Sequence, residues 1–258
     1  MPRTARKKDR NAIYHVMSRS ISEFNFFPED EDKSYFLEIL KDCTEEFNCK
    51  VYAFCLMTTH YHIFLDTNGF DISTFMKSLN LRYVKYINKK YSRRGSLLAE
   101  RFNSKIITSS EYALTVSAYI HNNPKDIKGY ENKVFDYPYS SMGIYLGEQK
   151  DSRKLLDTKY ILGIVSENES DSKEKAKKYA EMVETMRETG MNEKLRNFLE
   201  EFEKEQYEYK TYRTVLIRDK EPEAIISKIA CKLGIEDTRE IMHRWKRSSM
   251  RFLSLIHI

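Results

Sequence analysis

Between positions 50 and 65 two runs rich in β-branched and aromatic residues, 50–54 and 59–65, are parted by a short break near Met57 and Thr58. So short a gap admits a hairpin and little else. On both sides of it the apolar spacing becomes helical. Tyr35, Phe36, Ile39, Leu40 and Phe47 precede the hairpin behind the acidic start Pro28-Glu-Asp-Glu-Asp32, where carboxylates suit the positive end of a helix. After it, Asp71 opens a second helix with the stripe Phe75, Leu79, Tyr83, Tyr86 and Ile87, the basic Lys77, Arg82, Lys85 and Lys89 lying largely off it. Alternating segments at 12–18 and 101–108 supply a strand at each end, and Ser109 caps a third helix that runs through Tyr119 and stops at Asn122-Asn-Pro124. The order β-α-β-β-α-β plus a helix specifies an α+β fold. It is the ferredoxin-like, split β-α-β arrangement, an antiparallel sheet with helices on one face.

The 258 residues exceed what that unit needs. Three segments are expected: a core domain over 1–146, a charged helical connector over 147–209, whose Glu- and Lys-dense stretch 166–206 is expected to be solvated rather than part of the core, and a helical region over 210–258. In the last, Ile225, Ile226, Ile229 and Leu233, a turn at Gly234, and a helix crowded with Arg239, Arg244, Lys246 and Arg247 resemble a helix-turn-helix that binds DNA. A plain helical hairpin docked on the core fits the same pattern. The last residues, 251–258, stop in mid-pattern, so truncation there is an open expectation.

Composition excludes several classes. Cys43, Cys49, Cys55 and Cys231 show no C-x-x-C spacing, which argues against a zinc ribbon or a disulfide framework and fits reduced thiols. No apolar run is long enough for a bilayer and no apolar segment follows the basic N-terminus, so a cytoplasmic protein without a membrane partner is expected, nucleoid-associated when it holds DNA. A net charge of +5 proves little. Its distribution says more: Arg3, Arg6, Lys7 and Lys8 crowd the first ten residues, and Lys85, Arg93, Arg94 and Arg101 form a second cluster, suited to a polyanion by counterion release.

His60 and His62 sit in the second run of the hairpin, and on a strand residues two apart share a face. Two imidazoles side by side supply two nitrogen ligands for one divalent metal, although packing accounts for such a pair equally well. Tyr119 and Asn123 stand four apart, on one face of the third helix. If that face looks at the strand pair, Asn123 can offer an amide oxygen as third ligand, and Tyr119 can approach whatever the metal holds.

Taken together, Tyr14-His-Val-Met-Ser-Arg19, Met57-Thr-Thr-His-Tyr-His-Ile-Phe-Leu65, Gly95 with Arg101-Phe102, Tyr119-Ile-His-Asn-Asn-Pro124 and Tyr137-Pro-Tyr-Ser-Ser141 resemble the single-tyrosine HUH transposases, most of all the REP-associated tyrosine transposases. The resemblance covers about residues 1–146. It implies that His60 and His62 hold Mg²⁺ or Mn²⁺ with Asn123 completing the site, and that Tyr119 attacks a phosphodiester of single-stranded or hairpin DNA. A 5′-phosphotyrosine link and a free 3′-hydroxyl would result. It also implies a DNA strand transferase working as a monomer or a homodimer. A phenol with an ordinary pKa of about 10 needs such metal assistance at neutral pH. Covalent capture keeps the energy of the broken bond for rejoining.

Weaker expectations attach to other residues. Arg19, Arg82, Lys85, Arg93, Arg94 and Arg101 are candidates to line the DNA groove, with Tyr91 stacking on bases. His121 is expected to be a DNA contact or a surface residue, and His15 a packing residue of the sheet. The alternative function is a non-catalytic nucleic-acid-binding protein whose ferredoxin-like sheet carries the aromatics.

Overall fold

The computed structural model describes residue 9, residues 12–165 and residues 171–188, all inside one compact unit, Arg6–Leu195. The expected helix-turn-helix over 210–258, the basic arm with Arg3, Arg6, Lys7 and Lys8, and residues 189–209 of the connector lie outside the described residues.

The elements follow in the order β1 (Ile13–Arg19), α1 (Asp30–Glu46), β2 (Lys50–Leu56), β3 (His60–Asp66), α2 (Ile72–Lys90), β4 (Asn103–Ile107), α3 (Ser110–Asn122), α4 (Met142–Tyr145), α5 (Thr158–Val165) and α6 (Ser172–Glu188). The sheet order is β2-β3-β1-β4 with every neighbouring pair antiparallel, which is the ferredoxin-like topology. Local chemistry fixes the helix starts. Glu29 and Asp32 form a reciprocal capping box at α1, the Asp71 side chain accepts from the Thr74 amide at α2, and the Ser109 hydroxyl accepts from the Tyr112 amide at α3.

Strand alternation divides the side chains between two layers. Tyr14 and Val16 of β1, Phe54 and Leu56 of β2, and Tyr61, Ile63 and Leu65 of β3 pack with Phe36, Leu40, Phe75, Leu79 and Tyr83 of the two crossover helices. Phe26 stacks on Tyr83 with ring centroids 5.1 Å apart. The phenols buried here keep a partner: Tyr61 donates to Asn80 Oδ1 at 2.8 Å and Tyr83 to the Phe26 carbonyl at 2.9 Å.

The crossover helices α1 and α2 occupy that face, as expected. The third helix does not join them. It lies against β2 and β3 on the opposite face, and α5 and α6 pack on it in turn. Residues 158–165 and 172–188 are therefore part of the packed unit, and for 172–188 this differs from the expectation of a solvated stretch over 166–206. Ile161 and Leu162 are buried, and Ala176, Tyr179 and Val183 form a thin buried stripe on α6 that its many Lys and Glu residues conceal in the sequence. The outer edge of β2 is covered by residues 137–141, where the Tyr139 carbonyl accepts from the Leu56 amide, the Ser141 amide donates to the Phe54 carbonyl, and the Tyr137 hydroxyl donates to the Leu56 carbonyl. No helix among the described residues is long and apolar enough to cross a membrane.

Candidate active site

The hairpin presents His60 and His62 on the face away from α1 and α2, with ring centroids 5.1 Å apart and the rings nearly perpendicular. Cross-strand register then decides what stands beside them. Arg19 pairs with His60, Met17 with His62 and His15 with Phe64, so His15, Met17 and Arg19 of β1 share the histidine face. Lys105 of β4 pairs with His15 from the other side.

His62 is almost fully buried and His60 partly so. In both, Nδ1 is the engaged nitrogen: His62 Nδ1 lies 2.9 Å from His15 Nε2, and His60 Nδ1 lies 3.1 Å from Thr59 Oγ1. Among the described residues no hydrogen bond takes up Nε2 of either ring. Burial lowers His60 to a pKa of about 4, with Arg19 adding to the effect. Burial lowers His62 still more clearly, with His60, His15 and Arg19 adding to it. Both rings are thus neutral at pH 7 and keep the lone pair that a metal requires.

Tyr119 comes to this face from α3. Its ring centroid lies 5.5 Å from that of His62 and 5.8 Å from that of His15, edge-on to both. The phenol is half-buried while its helical neighbours Ala118 and Ile120 are buried. The expectation that the tyrosine face of the third helix looks at the histidine strand is met.

Asn123 takes a more modest place. It sits at the end of α3, and its amide nitrogen turns back to the carbonyls of Tyr119 and Ile120, at 2.9 and 3.4 Å. That cap holds the carboxamide and directs no hydrogen bond to His60 or His62. Among the described residues, no cluster of three or more His, Cys, Asp or Glu gathers as a metal site. What this face offers a divalent cation is therefore the Nε2 atoms of two neutral imidazoles. Imidazole nitrogen is an unusual donor for Mg²⁺, which prefers oxygen, and that makes Mn²⁺ a serious candidate.

His121, expected at the surface or on DNA, is fully buried. Its ring bridges Tyr179 Oη and Ser141 Oγ, each at 2.7 Å. Ser141 Oγ in turn bonds the amide and the carbonyl of Phe54, at 2.9 and 3.2 Å, and Tyr179 donates to Ser117 at 2.9 Å. Asn122 Nδ2 also donates to the Val183 carbonyl at 2.9 Å. Together these bonds tie the tyrosine helix to β2 on one side and to α6 on the other. Burial, which lowers His121 to a pKa of about 3, keeps it neutral there.

The basic candidates separate by face. Arg19 lies across from His60, and its Nε is buried without a hydrogen-bond partner. Arg93 stacks on Phe24 at 4.0 Å, while Arg94 and Arg101 are exposed in the loop before β4. Arg82 and Lys85 belong to α2, on the layer opposite the histidines, and Arg82 is paired with Glu46. Tyr91 donates to Asp32 Oδ2 at 2.6 Å beside Lys90, so it serves the join between α1 and α2 rather than base stacking. His15, whose contact with His62 depends on long-range strand pairing, is the site residue that spacing alone did not reveal.

Residues 8–123 match the model of the family described as Transposase IS200 like. No curated protein matches the chain. Among solved structures, a REP-associated tyrosine transposase bound to a REP hairpin is similar at 13% identity, over 61% of this chain and 90% of that one, with a TM-score of 0.48. A proposed transposase of Deinococcus radiodurans R1 is similar at 18% identity, over 46% of this chain and 96% of that one, with a TM-score of 0.33.

Proposed function

We propose that the chain, whose residues 8–123 match the model of the IS200-like transposases, is such a transposase and cuts and rejoins single-stranded or hairpin DNA through a covalent bond to Tyr119. Support comes above all from the approach of Tyr119 to the histidine pair, its ring centroid 5.5 Å from that of His62. A binding module has no need of that pairing. In the cutting step the Tyr119 oxygen bonds to the scissile phosphorus, the bond from phosphorus to the 3′-oxygen breaks, the phenolic proton leaves to solvent, and the 3′-oxygen takes a proton. Joining reverses the sequence with a 3′-hydroxyl as attacking group.

His60 and His62 would hold the cation, each by the Nε2 that no hydrogen bond among the described residues takes up, and Asn123 would complete the set through its amide oxygen. A bound Mg²⁺ or Mn²⁺ supplies polarisation of the phosphate oxygens and orientation of the scissile bond. Arg19, on the same face, neutralises phosphate charge, while Arg93, Arg94 and Arg101 extend the basic surface along the loop before β4. The N-terminal arm, with Arg3, Arg6, Lys7 and Lys8, adds phosphate contacts. The protein works in the cytoplasm, on the nucleoid.

The test is incubation of the full-length protein with a set of labelled DNA hairpins and Mn²⁺, followed by denaturing electrophoresis. Wild type forms a protein–DNA adduct, Tyr119→Phe forms none, and the double variant His60→Ala/His62→Ala forms it at least about a hundredfold more slowly, given what a catalytic metal contributes. An adduct that persists in Tyr119→Phe overturns the assignment.

A further inference from the structure

We propose that His15 is the positioning residue that sets the tautomer and orientation of His62. The inference rests on the reading of His62 as a metal ligand. It goes beyond the two-histidine motif to a third imidazole contributed by a different strand.

The geometry allows one hydrogen between the two rings. His15 Nε2 and His62 Nδ1 are 2.9 Å apart, with both side chains buried and the rings near parallel at 22°. For His62 to present a lone pair at Nε2, its own hydrogen must sit on Nδ1. His15 Nε2 is then the acceptor, and the hydrogen of His15 must sit on Nδ1. The opposite arrangement would put the hydrogen of His62 on Nε2, where it blocks coordination. A histidine that ligates through one nitrogen and donates through the other to a fixed acceptor has its ring plane and its basicity set by that acceptor.

The placement follows from alternation and register. His15 lies between Tyr14 and Val16, which point into the layer of α1 and α2, so it must point to the histidine face. Because β1 is the central neighbour of β3, the ring reaches two residues along the strand, from its partner Phe64 to His62 on the same face. The edge-on contact with Tyr119, at 5.8 Å, closes the group from above. His60 obtains the same service locally, from Thr59. His62 obtains it only by folding.

The competing account gives His15 a role in filling space between the sheet and α3. His15→Phe and His15→Gln separate the two. Phenylalanine keeps the ring and loses the acceptor, whereas the glutamine Oε1 stands near the place of Nε2 and restores it. Mn²⁺ is titrated into the full-length protein without DNA and free Mn²⁺ is read by electron paramagnetic resonance. Wild type binds, His62→Ala loses binding, His15→Phe binds about 10- to 100-fold more weakly, and His15→Gln returns to within a few-fold of wild type, on the scale known for such supporting bonds. If His15→Phe binds as tightly as wild type while His62→Ala does not bind, the positioning role is overturned and the metal reading survives. If His62→Ala and His60→Ala bind as wild type does, the metal reading itself fails. Should His15→Phe not fold, the imidazole ¹⁵N shifts of metal-free wild type decide. The hydrogen of His62 on Nδ1 supports the proposal, and on Nε2 it overturns it.

Discussion

The two faces of the sheet are made by the same strands and could hardly differ more. Toward α1 and α2 the strands send Tyr14, Val16, Tyr61, Ile63 and Leu65 into a layer of interlocked rings around Phe26, Phe36 and Tyr83. Toward α3 they send His15, Arg19, His60 and His62. The first face holds its residues by apolar burial, which is indifferent to pH and tolerant of orientation. The second holds them by hydrogen bonds, which fix orientation and demand a protonation state. Alternation allows a five-residue run such as His60-Tyr-His-Ile-Phe64 to belong to both at once.

The largest effect is expected on the apolar face. Phe36 is fully buried among Phe26, Phe27, Tyr61 and Tyr83, and Phe36→Ala should cost about 3–5 kcal/mol in urea denaturation. Tyr119→Phe, on the other face, should cost about 1.5 kcal/mol or less while abolishing the adduct. If the two changes destabilised equally, the division of labour between the faces would be wrong.

A second effect belongs to the histidine face. Burial lowers His15 and His121 to about 3 and His60 to about 4, below the value of about 6.5 that they have when unfolded. The unfolded chain therefore binds more protons than the folded one once pH drops below 6.5. These groups support stability above that pH, and the support drains away as pH falls toward the folded values. Each histidine removes up to about 1.4 kcal/mol per pH unit in that window. Replacing His121 by Gln should flatten the denaturation profile between pH 7 and pH 5 by about that slope. An unchanged slope would mean that His121 is not held neutral.

How much of this the sequence made legible depends on the range of the interaction. Strands, helices and caps were readable because Asp71, Ser109 and the stripe Phe75-Leu79-Tyr83 act within a turn or two of themselves. The approach of Tyr119 to His62 was readable as a condition, since four-residue spacing defines a face but not what it meets. Two things required the fold. The contact of His15 with His62 needs the register of β1 on β3. The packing of α6 rests on Ala176, Tyr179 and Val183 in a helix of 17 residues, a stripe too thin to distinguish from a solvated face. Asn123 was readable as a neighbour of Tyr119 but not as a cap: the position that spaces it four residues from the tyrosine also ends the helix, where its amide nitrogen bonds the Tyr119 carbonyl.

That thin stripe gives the third prediction. Tyr179→Phe removes the hydroxyl that meets both His121 and Ser117, leaves two buried polar groups short of a partner, and should cost about 1–3 kcal/mol. Because α3 carries the nucleophile, the same change should slow adduct formation while hairpin affinity holds. Slower cutting with weaker binding would instead assign α6 to the DNA surface.

The smallest effect tests whether the outer layer is inert toward DNA. Arg82 sits on α2 against Glu46, both side chains more than a third exposed, so Arg82→Gln should change stability by less than about 1 kcal/mol. On the far side from the histidines it should also leave the salt dependence of hairpin binding unchanged. Arg19→Gln carries the same change of charge on the histidine face, and there the slope of log affinity against log salt should fall by about one. Equal slopes for the two variants would show that phosphate contacts wrap both layers, and the contrast between the faces would then hold for chemistry but not for binding.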